Sequence, residues 1–165
     1  MKIYLIGLPG SGKTTLGKQL ARALGLPFID LDKEIETHEG QSVSGIFTGK
    51  GEPHFRLVES QLLHRWAESQ DEFVMATGGG APCYHDGITV INNSGLSVFL
   101  DPPLETIVAR IEHATNRPLL ATDDITIKKD RLLKLYAERV TCYEQAKLRF
   151  KATEISKLIE LIQTQ

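Results

Sequence analysis

Residues 7–14 read Gly7-Leu8-Pro9-Gly10-Ser11-Gly12-Lys13-Thr14, the pattern G-x-x-x-x-G-K-[ST] that cradles phosphate. Its chemistry is binding by backbone geometry. Glycines lack a Cβ, so the chain can curl around an anion with its N–H groups pointing inward. A helix that starts there adds about half a positive charge at the same spot. Lys13 can then reach the β- and γ-phosphates, and the Thr14 hydroxyl can ligate Mg²⁺. A glycine-rich turn that binds nothing is the competing reading, and the setting decides between them. The apolar run Ile3-Tyr4-Leu5-Ile6 precedes the loop, and Leu16, Leu20, Ala23 and Leu24 follow at helical spacing.

Two carboxylates come next. Asp30 and Asp32, two apart at the end of an apolar run, leave the same face of a strand. One suits Mg²⁺ held through water, and the other suits a hydroxyl to be oriented for attack on a γ-phosphate. Capping of the next helix competes with this, and the neighbouring phosphate loop favours the functional reading. Asp101 closes a third apolar run, Val98-Phe99-Leu100, and competes for the metal. Pro102-Pro103 behind it fits a helix start capped by Asp101, which is the preferred reading.

Gly78-Gly79-Gly80 follows a strand. It serves either a tight turn or the close approach of a ligand to bare backbone. The arginines are individually ordinary surface charges. Arg56 and Glu59 nevertheless share a helix face, Arg139 has Tyr136 and Tyr143 beside it at helical spacing, and Arg117 sits in a polar loop with the look of a lid. Near a phosphate loop, a lid arginine neutralises a transferred phosphoryl group, and an arginine fork can hold a carboxylate. The histidines form no ligand pattern. Cys83 lies near the glycine turn with nothing to mark it as a nucleophile. Phe55, Val58, Leu62 and Trp66 form a core stripe, although Phe55 could wall a pocket.

Strands are predicted at about 2–6, 28–32, 73–76, 98–100 and 148–151. Helices are predicted at about 13–24, 33–38, 52–68, 104–113, 124–145 and from 154 onward. Residues 40–51 read as glycine-rich connections and 114–123 as a polar loop. This alternation predicts a three-layer α/β/α domain on a mostly parallel five-stranded sheet. Ligands collect beyond the carboxyl ends of such strands, where the phosphate loop, Asp30/Asp32 and the glycine triplet all fall. The 165 residues suit one domain over 1–165. A net charge of −2 gives no reason to bind nucleic acid or a membrane surface. The chain starts directly on a strand, with no signal peptide and no membrane span expected. The two cysteines, Cys83 and Cys142, have no metal-ligand spacing and fit reduced thiols in a cytoplasmic protein.

The phosphate loop, Asp30-Leu31-Asp32, Gly51-Glu52 with Phe55-Arg56, Gly78-Gly79-Gly80, Arg117-Pro118-Leu119-Leu120, and Arg139 with Tyr143 come in this order and at these separations. Together they resemble shikimate kinase, from residue 3 to about 146. The resemblance implies a P-loop kinase fold with a lid at about 113–124 and an acceptor-binding region at about 32–60. The implied activity is ATP-dependent phosphorylation of the shikimate 3-hydroxyl, with Mg²⁺, in a cytoplasmic monomer. On the same resemblance Gly10, Ser11, Gly12, Lys13, Thr14 and Thr15 hold the ATP phosphates, with Thr14 and Asp30 at the metal. Asp32 binds the shikimate hydroxyls and acts as base. Arg56 and Arg139 clamp the shikimate carboxylate, Glu59 orients Arg56, and Gly78, Gly79 and Gly80 line the shikimate site, where Gly79 donates its N–H. Phe55 lies beside them, Arg117 comes down with the lid onto the phosphates, and Arg110 lies against the adenine. The chain departs from the family pattern after its last strand. Arg149-Phe150-Lys151-Ala152-Thr153 runs almost directly into a helix, where the family has a loop that packs on adenine.

Rival readings are a gluconate or nucleoside monophosphate kinase, and a non-enzymatic nucleotide-binding module. The module predicts loss of Lys13, Asp32, Arg56 or Arg139, and all four are present. A GTPase is excluded by the lack of Asn-Lys-x-Asp and Asp-x-x-Gly motifs.

Overall fold

The computed structural model describes residues 1–112 and 124–165. The chain runs β1 (Lys2–Ile6), α1 (Lys13–Leu24), β2 (Phe28–Asp30), α2 (Leu31–Glu39), α3 (Val43–Lys50), α4 (Glu52–Glu68) and β3 (Phe73–Ala76). It continues with α5 (Gly87–Ser94), β4 (Leu96–Leu100), α6 (Leu104–Ile111), α7 (Ile125–Tyr143), β5 (Leu148–Phe150) and α8 (Ile155–Gln163). The strands form one sheet in the order β2-β3-β1-β4-β5, and every pairing is parallel.

Alternation along the central strands builds two cores. Tyr4, Ile6, Phe73, Met75 and Phe99 join α2, α4, α5 and α7 on one face. Ile3, Leu5, Val74, Val98 and Leu100 meet α1 and α8 on the other. Each such buried side chain contributes roughly 1.5–3 kcal/mol, so the sheet is a rigid base for the loops at its carboxyl edge. Among the described residues no helix is long and apolar enough to cross a membrane.

Several expectations are corrected. The stretch 40–51 contains α3, whose two glycines and single buried residue, Ile46, hide it from periodicity. Its start is fixed locally, because Ser42 Oγ accepts the Gly45 N–H at 3.1 Å, and α4 supplies its packing. Helix α5 is also additional, carried by buried Ile88 and Ile91 against an otherwise polar or β-branched sequence. On α1 the buried face uses Gly17 and Ala21, and Ala23 is exposed. A Cβ at Gly17 would lie 2.6 Å from the Phe28 ring, so the missing side chain lets helix and sheet close.

Strand β2 stops at Asp30, two residues early, because the Asp30 carboxylate caps α2 by accepting the N–H groups of Asp32 and Lys33. Asp32 therefore belongs to the first turn of a helix, and the same-face-of-a-strand geometry fails. Asp101 does not cap α6. The proline pair delays that helix to Leu104, its N-cap position is Pro103, and no side chain caps it. Asp101 instead accepts from Arg149 Nε at 2.9 Å and Nη2 at 2.6 Å on the neighbouring strand β5.

Candidate active site

Beyond the carboxyl ends of β1, β2 and β3 lies a cavity of about 480 Å³. It is lined by Gly10, Gly12, Lys13, Thr14, Thr15, Asp30, Asp32, Gly78, Gly79, Arg110 and Thr153, among others. The adjacency of β1, β3 and β2 in the sheet brings these segments together.

The loop between β1 and α1 has the geometry its glycines require. Gly12 stands at the N-terminus of α1 with φ 101°, a conformation open to residues without a Cβ. Lys13 is nearly buried, and its Nζ donates to the carbonyls of Gly7 and Leu8 at 2.8 Å each. The ammonium is thus stored inside the curl of the loop. Ser11 Oγ is buried there with no hydrogen-bond partner among the described residues. Arg110 reaches across from α6 to donate to the Gly10 carbonyl at 3.1 Å, which lays its guanidinium over the loop.

Thr14 Oγ1 donates to Asp30 Oδ2 at 3.3 Å. Since Asp30 Oδ1 accepts the α2 backbone, capping and the contact with Thr14 coexist on one carboxylate. An oxygen pair of this kind fits Mg²⁺, which is held by one or two protein oxygens together with phosphates and water. Asp101, the competing candidate, lines a separate cavity with Pro102, Pro103 and Tyr136.

Neither reading of the glycine triplet accounts for it, because side chains of the protein itself fill the space beside it. None of Gly78, Gly79 and Gly80 has a positive φ, so the turn does not demand glycine. Space does. A Cβ on Gly78 would lie 2.6 Å from Glu59 Oε2 and 3.0 Å from Asp32 Oδ1. On Gly79 it would lie 3.1 Å from Arg139 Nη1, and on Gly80 2.3 Å from Arg56 Nη1. Bare backbone is what lets the two arginines and the two carboxylates meet beside the cavity.

Arg56 is 5% exposed and Arg139 4%, an unusual depth for arginine. Arg56 donates from Nη1 to Glu59 Oε1 at 2.9 Å, and from Nε and Nη2 to Glu52 Oε1 at 3.2 Å. Burial pushes the Glu59 carboxyl up to about 7, against the pull of the Arg56 guanidinium. Its second oxygen, Oε2, is buried without a hydrogen-bond partner among the described residues. On α7, Tyr143 is fully buried, and its hydroxyl donates to the Gly79 carbonyl at 2.6 Å. Burial holds this phenol well above its usual range. The bond fixes the Gly79 peptide one helical turn from Arg139.

Phe55 is placed in the core, 4.8 Å between ring centroids from Phe47, at the back of Arg56. The Cys142 thiol beside Cys83, with burial, holds the Cys83 thiol above its ordinary value, which suits an inert residue. Arg117 lies outside the described residues, as does nearly all of the expected lid. Sequence reasoning missed the grip of Glu52 on Arg56, which the i,i+4 spacing could have revealed. It also missed Gln19 and Thr153 at the cavity wall, which no motif marks.

A phosphate loop at the first strand of a parallel, helix-covered sheet defines the P-loop class of phosphate-binding α/β proteins. The comparisons narrow this. A shikimate kinase family model matches residues 9–164. The shikimate kinase of Bacteroides thetaiotaomicron is 39% identical over 156 residues, spanning 94% of this chain and 89% of that one. The crystal structure of a shikimate kinase from the same organism superposes with a TM-score of 0.91 at 37% identity, covering 99% and 98% of the two chains. The shikimate kinase of Acinetobacter baumannii, solved in complex with shikimate, gives 0.90 at 33% identity over 99% and 93%. The chain belongs to the shikimate kinase family.

Proposed function

We propose that the protein transfers the γ-phosphoryl group of ATP to the 3-hydroxyl of shikimate, as a monomer in the cytoplasm. One observation carries the reading: two buried arginines and the Asp32 carboxylate meet at a glycine triplet beside the phosphate loop. A small hydroxylated carboxylic acid needs that set, namely an anion clamp and a carboxylate for its hydroxyl.

In this reading the loop from Gly10 to Thr15 holds the ATP phosphates, and Lys13 leaves the Gly7 and Leu8 carbonyls for the β- and γ-phosphates. Thr14 and Asp30 hold Mg²⁺, which neutralises phosphate charge when bound. Arg56 and Arg139 take the shikimate carboxylate, Glu59 and Glu52 fix Arg56 in orientation, and Gly79 offers its N–H. Asp32 orients the attacking hydroxyl and accepts its proton as the oxygen–phosphorus bond forms and ADP leaves. Arg110 borders the adenine end, with Thr153 at the cavity wall supplying part of the contact that the short segment after β5 otherwise lacks. Arg117 comes down with the lid to exclude water, a competing acceptor.

ADP release with a panel of acceptors tests this. Turnover is expected with shikimate and background rates with quinate, gluconate and nucleoside monophosphates; no shikimate-dependent turnover overturns the assignment. Gly80→Ala tests the clamp independently of any direct substrate contact. The added methyl collides with the Arg56 guanidinium, which must swing away from Glu59. Charged hydrogen bonds are worth about 1.5–3 kcal/mol, so titration calorimetry should show shikimate affinity reduced at least about tenfold. ATP affinity should be unchanged.

A further inference from the structure

Tyr84 has no part in the reading above, yet it touches the residue on which that reading depends. Its ring centroid lies 4.3 Å from Arg56 Cζ, closer than the Phe55 ring at 5.2 Å. The ring is 40% exposed while the guanidinium beneath it is almost completely buried. A solvent-facing aromatic thus covers a charge, where an ordinary surface aromatic covers apolar core.

The backbone is built to put it there. From Gly80 the chain folds back on itself. Cys83 N–H donates to the Gly80 carbonyl at 2.8 Å, Ile88 N–H to Pro82 at 2.7 Å, and Gly87 N–H to Tyr84 at 3.0 Å. His85 and Asp86 then both take left-handed conformations, with φ 49° and 56°. Two consecutive non-glycine residues in this region are uncommon and persist where the surroundings dictate them. A Cβ at Gly87 would lie 1.9 Å from the Ala81 carbonyl oxygen, so the loop is closed tightly around its own chain.

The geometry at Arg56 shows what an aromatic cover can do. A guanidinium carries five in-plane N–H donors. Glu59 takes one from Nη1, and Glu52 takes one each from Nε and Nη2. Among the described residues Nη1 and Nη2 each keep one N–H unspent, and such N–H groups suit a carboxylate. Two glutamates grip the group at its edges. A ring over its face resists tilt, uses none of the N–H groups, and keeps water off that face.

We propose that Tyr84 is a positioning residue, whose ring holds the Arg56 guanidinium in the plane that presents its two remaining N–H groups to the acceptor carboxylate. This rests on the reading that Arg56 binds that carboxylate. The test is steady-state kinetics with shikimate and ATP on Tyr84→Leu, Tyr84→Gln, Tyr84→Phe and Arg56→Ala, and on Tyr84→Leu combined with Arg56→Ala. Tyr84→Leu and Tyr84→Gln should each raise the shikimate KM about fivefold, with kcat and the ATP KM within about twofold of the parent. Tyr84→Phe, which keeps the ring, should restore the shikimate KM. On the Arg56→Ala background, Tyr84→Leu should add nothing.

An unchanged shikimate KM in both ring-removing variants overturns the proposal while a large Arg56→Ala effect leaves the parent reading intact. Equal losses for ATP and shikimate, or a Phe variant as impaired as Leu, also overturn it. So does a Tyr84→Leu loss of the same size without Arg56, since the ring would then be acting on the acceptor directly. If Arg56→Ala leaves shikimate affinity intact, the parent reading falls and takes the proposal with it.

Discussion

Lys13→Ala is expected to lower kcat by about two to three orders of magnitude with little change in fold, because one preorganised charge at a transferring group is worth that much. The nearly buried ammonium is held between the carbonyls of Gly7 and Leu8 at 2.8 Å each, so the loop itself fixes its position. Truncation leaves those carbonyls in a loop that still has its glycine geometry and its helix N-terminus. ATP should therefore still bind, more weakly, and the melting temperature should move by only a few degrees. Lys13→Arg should not rescue turnover, since a planar fork cannot fold back into the space that a compact ammonium fills. Single-turnover ADP formation, with ATP affinity measured separately, checks this. A variant within tenfold of the parent kcat would remove Lys13 from the chemistry.

The second large effect is on the acceptor side. Arg139→Ala should weaken shikimate binding about 100-fold or more and ATP binding less than about threefold. Truncating one partner of a buried, hydrogen-bonded charge pair costs about 2–5 kcal/mol, and Arg139 is 4% exposed. Its Nη1 lies against Gly79, whose carbonyl is held by Tyr143 one turn further along α7. The substitution thus removes a charge from a frame that otherwise stays in place. Arg139→Lys should recover only part of the affinity, because an ammonium cannot offer two parallel donors. Calorimetry with each ligand alone separates the outcomes, and equal losses for ATP and shikimate would show that the arginine belongs to neither substrate in particular.

Much of this site was legible in the chain because its chemistry is local. Gly7 to Thr14 carries loop, lysine and hydroxyl within eight residues, and strand and helix follow from the flanking apolar spacing. The apolar faces of α1 and α4 are readable for the same reason, apart from the exchange of Ala23 for Ala21. What failed depended on contacts between distant segments. Helix α3 has too few buried residues to show a period. Local spacing pairs Asp101 with the helix next to it, but its partner Arg149 comes from 48 residues away. Apolar spacing puts Asp32 on a strand, but nearby Asp30 ends that strand by capping the next helix. The triplet's purpose was invisible because a missing Cβ leaves no trace until the Arg56, Arg139 and Glu59 side chains that fill its space are known.

The neighbouring positions of β1 and β3 have a consequence for how such an enzyme can change over generations. Phosphate-loop residues descend from β1 and α1, whereas Arg56, the glycine triplet and Arg139 descend from α4, β3 and α7. Where the two sets touch, at Gly79 beside Pro9 and the Gly7 carbonyl, the triplet contributes only bare backbone. If the proposed roles hold, side chains on the acceptor half can be exchanged with little change to the backbone that would hold triphosphate. On that reading, lineages can try new hydroxyl acceptors while the donor half is inherited unchanged.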